Sequence, residues 1–388
     1  MGFNMDIYKI REEFPVVKRW IFLNHAAVSP LPTRAADAMK SFLSDKVRAQ
    51  LTHDDDLAYW HEKVANSKRL FSGLIGAEER EIAFIPNTTF GLNLVAQILP
   101  YKPESNVVTN TIEYLSNVIV WLKLRERGVE VRIVGDTDGR ISLNALEKNI
   151  DDKTVAVAVG QVGWYNGFRH DLKGISKFAH ENGAFLVVDA IQAVGNMKID
   201  VAREEIDFLS CGSYKWLLGP PGAGFLYIKE DLVNEFNPPI LGENSIDSEV
   251  SKRNIYECFD LFELKYSSGI EKYEVVHVND LAYVGVEESM RLLLDFGMEN
   301  VEKKIKEIDE YLINRLLDYG YNIQTPLGEG EHHAIVNFRV KNPDKLMEFL
   351  LRNGVVASKR VGGIRVSPHF YNTKEEIDRF IEILKSAE

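Results

Sequence analysis

The sequence turns on two neighbouring stretches, FLVVDAIQAVGNMKIDV at residues 185–201 and EEIDFLSCGSYKWLLGPPGAGFLYI at residues 204–228. Residues 185–188 and 207–209 have the length and the β-branched or aromatic content of buried parallel strands. The first run ends in a carboxylate, Asp189, and Gln192 follows within a turn. The second runs into Ser213, Tyr214 and Lys215, then a Gly219-to-Gly224 turn and a third strand-like run at 225–228. In open α/β sheets, side chains at the carboxyl ends of strands face the ligand crevice. An acid and an amine delivered there from two strands suit pyridoxal phosphate. A lysine can hold its aldehyde, and a carboxylate can keep its ring nitrogen protonated so that the ring accepts electrons.

Outward from this centre, strand-like and helix-like stretches alternate from residue 81 to residue 228. That rhythm predicts an α/β fold, a mostly parallel sheet with both faces covered by helices. Helices are expected at 33–51, 57–74, 88–98, 116–127 and 172–182, the last stopped by Gly183. After residue 231 the rhythm changes. Residues 237–260 read as a connecting loop, and long helices follow at 279–296 and 298–319. Strands at 334–340 and 364–366 enclose a helix at 343–353, and 374–386 is a final helix. The expected organisation is an N-terminal arm at 1–17 packing on a small domain, a large domain at 18–260, and a smaller C-terminal α/β domain at 261–388.

Composition narrows the class. The 388 residues carry Asp+Glu 58 against Lys+Arg 46, a formal net charge of −12. Such a balance argues against nucleic acid or an anionic membrane as main partner. Two cysteines, Cys211 and Cys258, do not make a disulfide framework and suit a reducing compartment. No apolar run approaches the roughly 20 residues that span a bilayer, and the first residues lack the apolar core of a signal peptide. A cytoplasmic protein is the expectation. His53-Asp54-Asp55-Asp56 with His61 reads as an acidic loop and a helix histidine, and His332-His333 as strand neighbours facing opposite ways. No metal is expected.

VDAIQAVG followed by DFLSCGSYKWLLGPPGAGFLYI resembles the class V aminotransferase family of fold-type I pyridoxal phosphate enzymes. That family includes cysteine desulfurases, selenocysteine lyases, kynureninases and isopenicillin N epimerase-like proteins. The likeness runs from the Leu23-Asn24-His25 stretch to Tyr371-Asn372. It implies an internal aldimine at Lys215, a quinonoid intermediate supported by Asp189, and a homodimer with the active site at the subunit interface. It also implies cofactor contacts from Thr88 and Thr89 in the NTTFGLNLVA turn, where a helix N-terminus favours an anion. Tyr114, in Glu113-Tyr114-Leu115-Ser116-Asn117, is the expected ring-stacking aromatic, Gln192 the donor to the phenolic oxygen, and Tyr214 a phosphate contact. Trp164 and Asn166 in the 163–169 loop, with Asn24 and His25, are the further candidates to line the cofactor and substrate.

Arg365, in GGIRVSPHFYN, resembles the arginine that pairs with a substrate α-carboxylate, so an amino acid substrate is expected. A planar guanidinium matches a carboxylate through two parallel hydrogen bonds. One departure matters. A desulfurase needs a mobile-loop cysteine shortly before that arginine, and GVVASKRVG at 354–362 has none. Ser358 is no replacement, since a hydroxyl without a base is a poor nucleophile. The reaction therefore stays open between amino transfer, β-elimination of the cysteine or selenocysteine lyase type, and epimerisation. A non-catalytic relative keeping the fold as a binding partner is the alternative from another class. Retention of Lys215, Asp189 and Arg365 together counts against it.

Overall fold

The structure, a computed structural model, describes residues 7–48, 54–247, 264–275 and 278–387. Cys258, His53 and part of the expected 237–260 loop lie outside the described residues. The carboxylates of Asp54, Asp55 and Asp56 are likewise not described.

Thirteen strands are described, β1 (Ile21–Phe22), β2 (Ile82–Ile85), β3 (Asn106–Asn110), β4 (Glu130–Val134), β5 (Thr154–Gly160), β6 (Phe185–Asp189), β7 (Phe208–Gly212), β8 (Gly224–Ile228), β9 (Asn322–Ile323), β10 (Val336–Arg339), β11 (Val355–Val356), β12 (Ser358–Arg360) and β13 (Gly363–Val366). The large sheet has the order β2-β8-β7-β6-β5-β3-β4. The pairs within β4, β3, β5, β6 and β7 are parallel, and β8 runs antiparallel to both β7 and β2. Two reversals restore the original direction, so β2 points the same way as β7. The carboxyl ends of β2, β3, β5, β6 and β7 therefore share one edge of the sheet, where ligands of open α/β folds sit.

Local sequence explains the helices that carry this edge. Asn87 caps helix Thr88–Ile98, its side chain accepting from Phe90 N at 2.9 Å. With Asn87 as the cap, Thr88 and Thr89 are the first two residues of the helix. Asp171 caps helix Leu172–Glu181, accepting from Gly174 N. The helix expected at 116–127 splits into an α-helical Ser116–Leu122 and a 3-10 Lys123–Arg127, closed by Gly128 at φ 80°. Tightened last turns of this kind are common at helix ends.

Two further features depart from the sequence expectation. The apolar stripe of helix Asp280–Phe296 (Val284, Val286, Met290, Leu293) lies in the core of the large sheet, so that core extends past the expected 260/261 division. Residues 358–366, of which only 364–366 were expected as a strand, form a hairpin of β12 and β13 in an antiparallel sheet β12-β13-β10-β9. Its two-residue turn, Val361 and Gly362, has φ of 47° and 74°, the left-handed pair that matches hairpin twist. A β-branched residue is costly there, and the charged run SKR conceals the strand.

At the N-terminus, Phe14 stacks on Tyr371 with ring centroids 3.8 Å apart, and Arg11 pairs with Glu376 of helix Lys374–Ser386 at 2.9 Å. Strand β1 pairs in parallel with β11. Among the described residues no helix is long and apolar enough to cross a membrane, and no group of ligating side chains could hold a metal ion.

One glycine ties the β6 turn to the lysine segment. Gly195 has φ 101°, and a Cβ there would lie 2.4 Å from the backbone oxygen of Trp216, next to Lys215. Gly195→Ala is expected to destabilise the fold by about 2–4 kcal/mol, combining left-handed strain with overpacking against immobile backbone. Urea unfolding of the two proteins measures it, and equal midpoints would refute this packing.

Candidate active site

Strand register places the chemistry. Asp189 ends β6 and pairs with Gly160 of β5 and Ser210 of β7. Gly212 ends β7 opposite Gly224, and Ile85 ends β2 opposite the same glycine. The chain leaving β7 therefore delivers Tyr214 and Lys215 beside the turn that opens helix Thr88–Ile98. Thr88 Oγ1 accepts from Gly212 N at 2.8 Å, and Ser210 Oγ donates to Thr88 O at 2.9 Å. Glycine is required at position 91 of that helix, because a Cβ would lie 2.3 Å from Ser210 Oγ. Thr89 Oγ1 donates to Ser116 Oγ at 3.0 Å. The first backbone N–H groups of a helix have no partner within it, so this end is built for an anion.

Lys215 is buried, 7 % exposed, as is Asp189 at 6 %. Its Nζ lies 5.6 Å from the ring centroid of Tyr114 and 5.8 Å from that of Tyr214. Burial lowers the Lys215 pKa to about 8. Asp189 opposes that shift, while Arg365 and Arg360 reinforce it. Burial raises Asp189, against the Ile191 N hydrogen bond and the Lys215 charge. The ammonium and carboxylate thus sit in low dielectric within each other's field. Tyr214 is also raised by burial, to about 12, and stays a phenol at neutral pH.

Tyr114 is half exposed and makes an edge contact with Trp164, centroids 5.4 Å apart. Its chain neighbour is Glu113, to which the sequence reading assigned no role. Glu113 accepts from Asn110 Nδ2, Asn117 Nδ2 and Gly160 N, each at 2.8 Å. Burial raises its carboxyl to about 7, with Asp189 adding to the shift. Asn110 and Asn117, three residues before it and four after, were the sequence signal for a clamped carboxylate.

Gln192 bridges within the fold. Its Nε2 donates to Ala26 O at 3.0 Å and its Oε1 accepts from Trp216 Nε1 at 2.9 Å. A primary amide carries two N–H groups, and Ala26 O takes one of them.

Arg365, 1 % exposed, closes the far side. Nη1 donates to Trp164 O at 2.6 Å and Nε to Ser358 Oγ at 3.2 Å, while buried Nη2 has no hydrogen-bond partner. Burial first and Arg360 second lower its pKa to about 9, leaving it charged at neutral pH. An unpaired buried charge is costly, so the free Nη2 marks where an anionic ligand belongs.

Two candidates are not brought to the crevice. Asn166 is fully buried with its amide spent on the loop itself, Nδ2 donating to Gly139 O and Oδ1 accepting from Phe168 N. His25 is fully buried, hydrogen-bonded to Ser367 O and to the Tyr371 hydroxyl at 2.9 and 2.7 Å. Burial lowers its pKa to about 3. It belongs to an aromatic cluster with Trp216, His369 and Tyr371. Asn24 is part-buried beside Ser367, with its Oδ1 unpartnered.

The depressed amine yields a pH prediction. In the cofactor-free protein, alkylation of Lys215 followed by peptide mass spectrometry should rise through a midpoint near 8. Asp189 raises that value, so Asp189→Asn should move the midpoint down. A midpoint at the ordinary lysine value of about 10.4 would refute the electrostatic arrangement.

The chain is similar to known proteins over nearly its whole length. A family model described as aminotransferase class-V matches residues 21–380. A probable cysteine desulfurase of Methanothermobacter thermautotrophicus is 28% identical over 405 residues, covering 97% of this chain and 96% of its own. An uncharacterized aminotransferase of Bacillus subtilis is 27% identical, covering 90% and 93%. Among solved structures, the apo cysteine desulfurase of Thermococcus onnurineus NA1 superposes with a TM-score of 0.90 at 26% identity, covering 100% of this chain and 99% of that one. The fold is that of fold-type I pyridoxal phosphate enzymes, and the chain belongs to the class V aminotransferase family.

Proposed function

We propose that this pyridoxal phosphate-dependent enzyme acts on a free α-amino acid, with Lys215 as the catalytic amine, Asp189 as the ring-nitrogen partner and Arg365 as the α-carboxylate site. One observation carries the reading. A buried amine, a buried carboxylate and a buried guanidinium with a free Nη2 converge at one sheet edge.

The residues fit the cofactor. Thr88, Thr89 and the helix N-terminus offer donors to its phosphate, Tyr114 a stacking face, and Gln192 an N–H for its phenolic oxygen. Bound there, pyridoxal phosphate supplies an electron sink for the bonds at an amino acid's α-carbon. Lys215 holds the cofactor and, once displaced by substrate, moves the α-proton, for which an amine with pKa near 8 is suited. Arg365 fixes the substrate carboxylate, which orients the α-carbon bond to be broken. Asp189 keeps the ring nitrogen protonated, and the water-poor surroundings strengthen that charge pairing.

Persulfide formation is not part of this proposal. The hairpin before Arg365 has no cysteine. Cys211 is buried on β7, where burial pushes its thiol pKa up, the reverse of what a nucleophilic thiol needs. Amino transfer to a keto acid, β-elimination and epimerisation are the reactions this leaves open. Tyr114, Leu115 and Ile119 are exposed apolar side chains beside the crevice. They support a homodimer that covers them, and the reducing compartment suggested by the composition supports a cytoplasmic location.

Visible absorption of the purified protein with pyridoxal phosphate and a panel of L-amino acids tests the reading. A band that shifts with one class of amino acid and is lost in Lys215→Ala is expected. Arg365→Gln should raise the KM for that amino acid about 100-fold. Product assay then separates release of pyruvate or sulfide from formation of a new amino acid. Protein that takes up no cofactor would sink the proposal.

A further inference from the structure

The hairpin that supplies Arg365 carries a second arginine on the same face. In an antiparallel ladder, directly paired residues and alternate residues share a face. Ser358 pairs with Arg365, and Arg360 pairs with Gly363, so Ser358, Arg360 and Arg365 project together. Lys359 points the other way and pairs with Asp344 of helix Pro343–Arg352. The shared face is the one toward Lys215, because Ser358 Oγ accepts from the Arg365 guanidinium and Arg360 acts on the charge of both Arg365 and Lys215.

This face is held in place. Asn337, fully buried on β10, pairs with Arg365 across the ladder. Its Nδ2 donates to Arg360 O at 3.1 Å and to Tyr165 O at 2.9 Å, joining the hairpin to the loop whose Trp164 O accepts from Arg365. Gly363 makes room for that amide, since a Cβ would lie 2.2 Å from Asn337 Oδ1. Gln324 Nε2 reaches Val361 O at the strained turn.

Arg360 itself has no carboxylate partner among the described residues. Its Nη1 donates only to Lys359 O, at 2.7 Å. In a chain of net charge −12, a part-exposed guanidinium on the Arg365 face with no carboxylate partner leaves a cation available to an anionic ligand at the crevice. Arg365 is sufficient for one carboxylate. Arg360 is surplus to an amino acid with a neutral side chain.

We infer that Arg360 is a specificity-determining residue, and that the substrate is an α-amino acid whose side chain ends in a second anionic group of carboxylate type. This rests on the enzyme reading above and deepens it. Arg365 takes the α-carboxylate, and Arg360, five residues earlier on the same hairpin face, takes the side-chain anion. Neutral amino acids leave Arg360 unpaired and bind less well.

Unreactive carboxylates test this without turnover. Succinate, glutarate and propionate are titrated calorimetrically into the pyridoxal phosphate-loaded protein, its Arg360→Gln variant and its Arg365→Gln variant. At least one dicarboxylate should bind the native protein at least about tenfold more tightly than propionate, as a charge-assisted hydrogen bond implies. Arg360→Gln should abolish that preference and leave propionate binding unchanged, whereas Arg365→Gln should weaken every ligand. Equal affinity of the native protein for mono- and dicarboxylates would overturn the inference. Equal weakening of all three ligands by Arg360→Gln would overturn it too, by making Arg360 part of the first carboxylate site. Protein that takes up no pyridoxal phosphate refutes the enzyme reading itself, an outcome seen in the absorption spectrum before any titration.

Discussion

Strand β8 is the constraint on which the site depends. It runs against β7 and β2, and its Gly224 is the common register partner of Gly212 and Ile85. That pairing brings the end of β2, and with it the N-terminus of helix Thr88–Ile98, to the edge where β7 releases Lys215. A slip of one residue would turn every side chain of a strand to the opposite face, and Asp189 would leave the crevice. The hydrogen bond from Gly212 N to Thr88 Oγ1 fastens the two ends together.

Burial then sets the electrostatics. Lys215, Asp189, Glu113 and Arg365 are all moved toward their neutral forms by desolvation, and each is held back by a specific partner or left waiting for one. Glu113 has its partners already, three N–H donors from two strand ends and one helix. Arg365 lacks its last partner. A fold that keeps a guanidinium dry with one nitrogen unbonded gives up stability that an anionic ligand restores on binding.

The small antiparallel sheet contributes by rigidity. A hairpin with a two-residue left-handed turn presents Arg365 and Arg360 at fixed spacing, and Asn337 couples it to the 163–167 loop. Loops of that length without such ties would leave the two cations free to move apart. The strain at Val361 is local, and functional sites are where such backbone strain collects.

Much of this was legible in residues 185–228, because buried parallel strands, a carboxylate at a strand end and a lysine before a glycine-rich turn are local patterns that neighbours in sequence create. Helices Thr88–Ile98 and Lys374–Ser386 begin and end where their caps and apolar periods say. The resemblance of GGIRVSPHFYN singled out Arg365, and the preceding GVVASKRVG hid the strand containing Arg360, since a charged SKR run resembles a loop until a partner strand is known. Asn166 and His25 were misleading for a related reason. Polar side chains in a row of crevice loops can satisfy the backbone or a buried aromatic cluster as readily as a ligand, and only packing decides which. The sequence alone determined which chemistry the chain could perform and on which strands its parts ride. Tertiary structure decided which polar groups stay unpaired at the crevice, because hydrogen-bond satisfaction depends on residues hundreds of positions apart.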